Sequence, residues 1–344
     1  MEKYLFVGRL TFNNSPCAGE VVKNRMLVER LLQLMPNRVE CLDVIRYNRR
    51  ILLPFLYIVL FVKLITHDYE RIIVSTHDSL ANRIINCLGK LRKEKIVVYW
   101  VIGGGLSKKI EKGELKSNYY QDLFKVIVED IEIEDHFRSM GYTNVTTIPN
   151  FKPYVAIDNK EDYVCNRFVF VSRITPLKGC DIILSAVKQL NRKGLSFSVD
   201  FFGPIENGYP FEEYIEEIPN VSYKGIMSLK SRNDYEKLSK YSALLFPTFY
   251  PNEGFPGTLI DGFIAGVPII TTEWRYNNHI VDNNITGWLL PIQDSEALAN
   301  TMEKVINNNY DLFSISNRCK TTAIKYDTNT ILSKQVLSSY FSIQ

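Results

Sequence analysis

Short apolar runs alternate with longer amphipathic stretches along this chain, and the alternation starts afresh halfway. Residues 4–7, 39–44, 71–75, 96–101, 125–128 and 145–148 are rich in Val, Ile and aromatic residues and too short for helices. They read as strands, and their near-continuous apolar character suits strands buried on both faces of a parallel sheet. Residues 19–34 and 80–91, lying between them, carry a helical period. The pattern then repeats, with strands expected at 168–171, 198–202, 244–246 and 268–271. Helices are expected at 179–193, near 256–265 and at 295–307. Strands alternating with helices in this way predict an α/β fold of two doubly wound, Rossmann-like domains.

A polar stretch without clear period, 151–166, carries Pro153 and separates the two halves. We place the boundary there, giving a first domain over 1–155 and a second over 156–327, with a helix over 328–344 expected to pack back onto the first. The 344 residues suit two domains of roughly 150–180 each. Open α/β sheets bind ligands beyond the carboxyl ends of their strands, so two facing domains predict a central cleft as the ligand site.

Composition narrows the partners. Residues 1–116 hold 20 Lys/Arg against 11 Asp/Glu, a net of +9, whereas the remainder holds 21 against 27, a net of −6. A basic half favours an anionic partner such as phospholipid headgroups or a phosphate-bearing acceptor, or is simply a basic surface. No aromatic-interleaved or helix-turn-helix pattern accompanies the basic residues, so nucleic acid is not expected. The six cysteines are scattered singly with no C-x-x-C, which argues against a zinc site or disulfide framework and for reduced, mostly buried thiols of a cytoplasmic protein. The N-terminus reads as a first strand and not a signal peptide. Residues 51–65 are strongly apolar but fall short of the ~20 residues needed to span a bilayer. They read either as a helix packed on the first sheet or as an amphipathic membrane contact helped by Arg46, Arg49, Arg50 and Lys63.

The most informative stretch is 246–272. A strand ends, a loop carries Glu253, Gly254 and Gly257, and a helix opens near Pro256, with Asp261 one turn inside it. A helix N-terminus offers unpaired N–H groups and a favourable dipole, so the N–H groups of Thr258 and Leu259 form a candidate phosphate seat. Two carboxylates flanking it, Glu253 and Asp261, suit sugar and ribose hydroxyls. A second constellation, Val171-Ser-Arg-Ile-Thr-Pro-Leu-Lys-Gly179, places Arg173 after a strand and Lys178 before a helix. A guanidinium and an ammonium together can stabilise a departing diphosphate.

These segments resemble the family-4 retaining glycosyltransferases of GT-B fold, whose hallmark reads roughly E-G-F-G-x-x-x-x-E-A followed by G-x-P-V-I, with G-R-L-x-x-x-K-G upstream. Here the first is Glu253-Gly-Phe-Pro-Gly-Thr-Leu-Ile-Asp261-Gly, then Gly266-Val-Pro-Ile-Ile, and the resemblance runs from about 145 to 295. It implies a sugar-contacting Glu253, a ribose-holding Asp261 and loop donors at Gly254 and Phe255. It also implies a leaving group held by Arg173 and Lys178. Asp261 is one methylene shorter than the family glutamate, and Pro256 removes an N–H that other members offer. Phe201-Phe-Gly203-Pro resembles the glycine turn bordering the donor, and Tyr223-Lys224-Gly225-Ile226 the segment along the nucleobase.

On the acceptor side the resemblance points to Ala18 and Gly19, in place of a Gly-Gly loop, and to Gly103, Gly104 and Gly105. His77 follows a strand and reads either as facing an acceptor or as a satisfied structural histidine. The histidine that many members carry near the Gly103–Gly105 loop is absent from it. The implied activity is transfer of a UDP- or GDP-linked sugar to a glycan or polyprenyl-linked acceptor with retention, in capsule or lipopolysaccharide synthesis. No Asp-x-Asp occurs, so no metal is expected, and the nucleotide sugar is a co-substrate and not a cofactor. The expected location is cytoplasmic or peripheral on the inner face of the plasma membrane. Two alternatives stand beside it: a sugar-nucleotide epimerase on a GT-B-like fold, and a catalytically silent binding subunit of a glycan-assembly complex.

Overall fold

The twelve strands found among the described residues collect into two all-parallel six-stranded sheets. The computed structural model describes residues 3–11, 19–47, 50–115, 119–158 and 166–343. Contacts divide the chain into two units: Met1–Phe151 with Thr328–Gln344, and Lys152–Asp327.

The first unit runs β1 (Lys3–Gly8), α1 (Gly19–Leu34), β2 (Val39–Asp43), α2 (Leu53–Thr66), β3 (Tyr69–Ser75) and α3 (Asp78–Lys90). It continues with β4 (Val97–Trp100), α4 (Leu106–Glu111), β5 (Lys125–Val128), α5 (Ile131–Ser139) and β6 (Val145–Thr147). Its sheet order is β2-β1-β3-β4-β5-β6. The middle strands are apolar on both faces because helices cover both, as parallel sheets require. Tyr4, Phe6, Trp100, Ile127 and Phe151 form one buried cluster with Leu27 and Leu31 of α1.

The second unit runs β7 (Arg167–Val171), α6 (Cys180–Arg192), β8 (Ser198–Phe202), α7 (Phe211–Ile215), β9 (Val221–Tyr223), α8 (Arg232–Leu238) and β10 (Ala243–Phe246). Then come α9 (Gly257–Ile264), β11 (Ile269–Thr272), α10 (Asn277–Ile280), β12 (Gly287–Leu290), α11 (Ser295–Ile306) and α12 (Leu312–Lys325). Its sheet order is β12-β11-β10-β7-β8-β9. Its core joins Phe168, Phe170 and Phe201 to α6 and α9.

The C-terminal residues correct one expectation. Instead of a single helix over 328–344 there are two short ones, α13 (Thr328–Ile331) and α14 (Lys334–Ser338). Ser333 has extended backbone and its hydroxyl accepts the Val336 N–H, so a new helix is capped where the old one would have continued. Leu332, Leu337 and Phe341 enter the first unit's core, Phe341 meeting Tyr4 edge-to-face at 5.5 Å. The thiols depart from expectation too. Cys180 and Cys319 are buried, but Cys87 is half-buried and Cys41 exposed, and Cys17 and Cys165 lie outside the described residues.

Candidate functional site

In the second sheet, β7 pairs with β8 on one side and β10 on the other, and the chain reverses its direction of travel across the sheet between them. A doubly wound sheet opens a crevice at such a reversal, beyond the carboxyl ends of the two strands. The loops leaving those ends are 172–179 after β7 and 247–256 after β10. Arg173, Lys178 and Glu253 all lie on these two loops.

The first loop continues the ladder beyond β7. Ser172 N–H donates to the Phe202 carbonyl at 3.1 Å and Ile174 N–H to the Pro204 carbonyl at 2.9 Å. Gly203 permits this closeness: its φ is +144°, and a Cβ there would stand 1.7 Å from the Ser172 carbonyl oxygen. Arg173 is exposed on the segment so held. A 3-10 turn, Pro176–Lys178, then leads to Gly179, whose left-handed backbone (φ +84°) starts α6. A Cβ on Gly179 would meet the Pro247 carbonyl oxygen at 2.2 Å, so glycine is what lets the two loops touch.

Lys178 spans that contact. Its ammonium pairs with Glu253 Oε2 and sits 5.1 Å from the ring centroids of both Phe246 and Tyr250. Glu253 is only 7% exposed, and the same oxygen accepts the Thr248 hydroxyl at 2.9 Å. The loop is pinned from the next strand: Thr272 Oγ1 donates to the Thr248 carbonyl at 2.5 Å, and Trp274 Nε1 to the Tyr250 carbonyl at 2.8 Å. Trp274 thus acts as a packing and anchoring residue. The structure brings Lys178 and Glu253, both candidates from the sequence, into contact, and each is the other's partner.

Helix α9 begins at Gly257, after Pro256. Thr258 ties it to the sheet, its hydroxyl donating to the Val171 carbonyl at 2.8 Å. The expectation of two free N–H groups here is corrected in one: Leu259 N–H donates to the Pro256 carbonyl at 3.1 Å, because the first turn closes tightly behind the proline. Gly254 is half-buried, while the Phe255 ring is buried edge-on against Tyr326 at 5.2 Å.

Asp261 is 4% exposed, and both of its oxygens are engaged within the second unit. Lys152 Nζ donates to Oδ2 at 2.9 Å and Tyr235 OH to Oδ1 at 2.9 Å. Burial, and then the Asp261 carboxylate, push the Tyr235 phenol far up, which keeps it a donor. Lys152 and Tyr235, which bond the candidate Asp261, were not singled out by sequence reasoning. Lys152 stands in what reads as a linker, 109 positions from its partner.

Across β8, Lys224 N–H donates to the Phe201 carbonyl at 2.9 Å and Gly203 N–H to the Gly225 carbonyl at 2.8 Å. Gly203, Lys224, Gly225 and Ile226 therefore form one continuous edge at the carboxyl ends of β8 and β9, with Lys224 and Ile226 exposed.

In the first unit, Ala18 lies outside the described residues and Gly19 opens α1. His77 is exposed after β3, its carbonyl accepting the Leu80 and Ala81 N–H groups. Gly103 turns with φ +86°, and Gly104 and Gly105 are buried before α4. A histidine does stand near this loop: His136 of α5 lies with Nδ1 2.9 Å from Ser107 Oγ and Nε2 3.3 Å from Glu111. The same carboxyl ends hold a buried Lys23–Glu129 pair at 2.5 Å, and Asn24 donating to the Ser75 carbonyl at 2.9 Å.

Residues 158–326 match the family described as Glycosyl transferases group 1. The chain is 27% identical over 144 residues to O-antigen chain mannosyltransferase C of Escherichia coli, covering 42% of this chain and 38% of that protein. It is 25% identical over 195 residues to the capsular polysaccharide biosynthesis glycosyltransferase CapM of Staphylococcus aureus, covering 54% and 50%. The chain thus spans half or less of the length of these two relatives. In fold, it resembles HepE of Anabaena, solved in complex with UDP-glucose, at 16% identity and a TM-score of 0.73 over 98% of this chain and 100% of that one. The second unit thus carries the match to the glycosyl transferases of group 1, and the two Rossmann-like sheets of the chain are those of the GT-B fold.

Proposed function

We propose that this protein is a glycosyltransferase that moves a sugar from a UDP- or GDP-linked donor to a glycan or polyprenyl-linked acceptor in bacterial surface-polysaccharide synthesis, with retention of configuration and without a metal ion. The observation that carries this reading is the junction of the 172–179 and 247–256 loops. There Arg173 is exposed, Lys178 and Glu253 hold one another, and α9 starts. The names of the relatives support the setting, one acting on O-antigen chains and another belonging to capsular polysaccharide synthesis. HepE, of the same fold, was solved with UDP-glucose.

In this reading the diphosphate meets Arg173 and the Thr258 N–H, and draws Lys178 partly away from Glu253. Glu253 is thereby released to accept hydrogen bonds from the sugar hydroxyls. The cations then neutralise the charge that grows on the leaving diphosphate as the glycosidic bond breaks. A phosphate oxygen of that leaving group takes the acceptor proton, so no side-chain base is assigned. Gly203, Lys224, Gly225 and Ile226 border the nucleoside. Asp261 faces the ribose through Lys152 or a bridging water, since its own oxygens are already bonded. Ala18, Gly19, Gly103–Gly105 and His77 are assigned to the acceptor side.

The test is a thermal-shift screen against UDP, GDP, ADP and their sugars, followed by turnover with and without acceptor. A true donor at 100 times its Kd adds about 2.7 kcal/mol of stability. Conversion of the free sugar nucleotide without acceptor would instead identify an epimerase.

A further inference from the structure

Helix α2 buries one side and leaves the other bare. Leu56 and Leu60, one turn apart, are fully buried. Ile51, in the 3-10 turn just before the helix, is followed on the opposite side by Phe55, Ile58, Val62 and Ile65, at steps of four, three, four and three. That spacing draws a straight stripe along a helix. Phe61 widens it, and the six side chains are between 46% and 78% exposed. A helix apolar on every side is normally buried all round, and a contiguous apolar patch left in water marks a surface that meets something.

Charge selects what meets it. From Val44 to His67 the chain carries Arg46, Arg49, Arg50 and Lys63 and no Asp or Glu. Lys63 is paired with Glu40 at the edge strand β2, which clamps the helix to its unit. Arg46 is exposed on the approach to the stripe. An apolar stripe with the exposed Arg46 before it, in a segment whose sequence holds basic residues and no acidic one, complements an anionic lipid surface, where rings and aliphatic chains enter the acyl boundary and a guanidinium meets phosphates. A second copy seated on the same stripe would bring like charges together. Among the described residues no helix is long and apolar enough to cross a membrane, so α2, about 21 Å long, would lie in the interfacial plane.

We propose that α2 docks the first unit flat on an anionic phospholipid membrane, burying Ile51, Phe55, Ile58, Phe61, Val62 and Ile65. This surface is independent of the proposed reaction, and its test needs no activity. The full chain is sedimented with phosphatidylcholine vesicles containing about one-third phosphatidylglycerol, and with phosphatidylcholine alone. The wild type binds the anionic vesicles at least roughly tenfold more tightly than the neutral ones. The double variant Phe55→Asp/Ile58→Asp loses at least roughly tenfold of that binding, with its melting temperature unchanged because both positions are exposed. If that variant folds poorly, Phe61→Trp serves instead, its fluorescence shifting to the blue on anionic vesicles. Failure of the wild type to bind anionic vesicles, equal binding by the folded double variant, or no fluorescence shift would overturn the proposal. So would a wild-type dimer in sedimentation equilibrium that the double variant abolishes, since a second copy would then be the occupant.

Discussion

Replacing Lys178 with alanine should destabilise the second unit before any ligand is considered. Glu253 is 7% exposed and shares one oxygen between Lys178 and Thr248. Without the ammonium, the carboxylate stays buried with only the Thr248 hydroxyl at 2.9 Å. Removing one member of a buried ion pair typically costs about 3–5 kcal/mol. The lysine side chain is 14% exposed, so water can reach the vacated place and the lower end of that range applies, about 3 kcal/mol. Loss of the cation above the Phe246 and Tyr250 rings adds to this by about 0.5–1 kcal/mol. For a unit of this size the melting temperature should fall by about 7–16 °C, measured by calorimetry. The double variant Lys178→Met/Glu253→Gln should recover most of the loss, because neither charge then remains buried alone. A Lys178→Ala melting temperature within about 2 °C of wild type would refute the reasoning, as would simple additivity in the double-mutant cycle.

Three further outcomes follow. Arg173→Ala should leave stability within about 0.5 kcal/mol, because the side chain is exposed, yet weaken nucleoside-diphosphate affinity by roughly 10–100-fold in titration calorimetry. Unchanged affinity would remove Arg173 from the site. Gly179→Ala should cost about 2–4 kcal/mol in urea unfolding, since alanine is strained at φ +84° and its Cβ would strike the Pro247 carbonyl; a neutral effect would contradict the contact. Burial pushes the Glu134 carboxyl up, but hydrogen bonds from Thr147 and Arg138 outweigh it and hold the group below its ordinary value of 4.5. The folded state therefore binds fewer protons than the unfolded one as the group titrates. Its contribution is complete above pH 4.5 and is lost as the pH falls through the depressed value. Urea midpoints across that window should fall less steeply for Glu134→Gln than for wild type, and identical slopes would show that this carboxylate does not contribute.

The central strands are legible in the sequence because helices on both faces demand continuous apolar runs. The edges of the second sheet are less so. β9 buries only Val221 of its three residues, and β12 is a four-residue strand opening on Gly287, so neither shows a distinct run. The C-terminal helices escape for a different reason, since a single serine at 333 recaps a segment that looks continuous. At the site, the positions of Lys178 and Glu253 can be read from motif spacing, but their mutual pairing cannot, because it depends on how two loops 75 residues apart are pressed together at Gly179. Lys152 carries no periodic or motif signal; only the fold brings it to Asp261. His136 likewise reaches the glycine loop's helix from a separate element. For α2 the sequence shows an apolar segment, and the structure shows which of its sides is left in water.

The central claim is that a nucleoside diphosphate seats where the loops after β7 and β10 meet at the start of α9. Hydrogen–deuterium exchange of the full chain, with and without saturating nucleotide sugar, tests it most directly. The account predicts that added protection within the second unit concentrates at 172–179, 203–204, 224–226 and 248–259. Saturating binding with no added protection at 172–179 and 248–259 would contradict it.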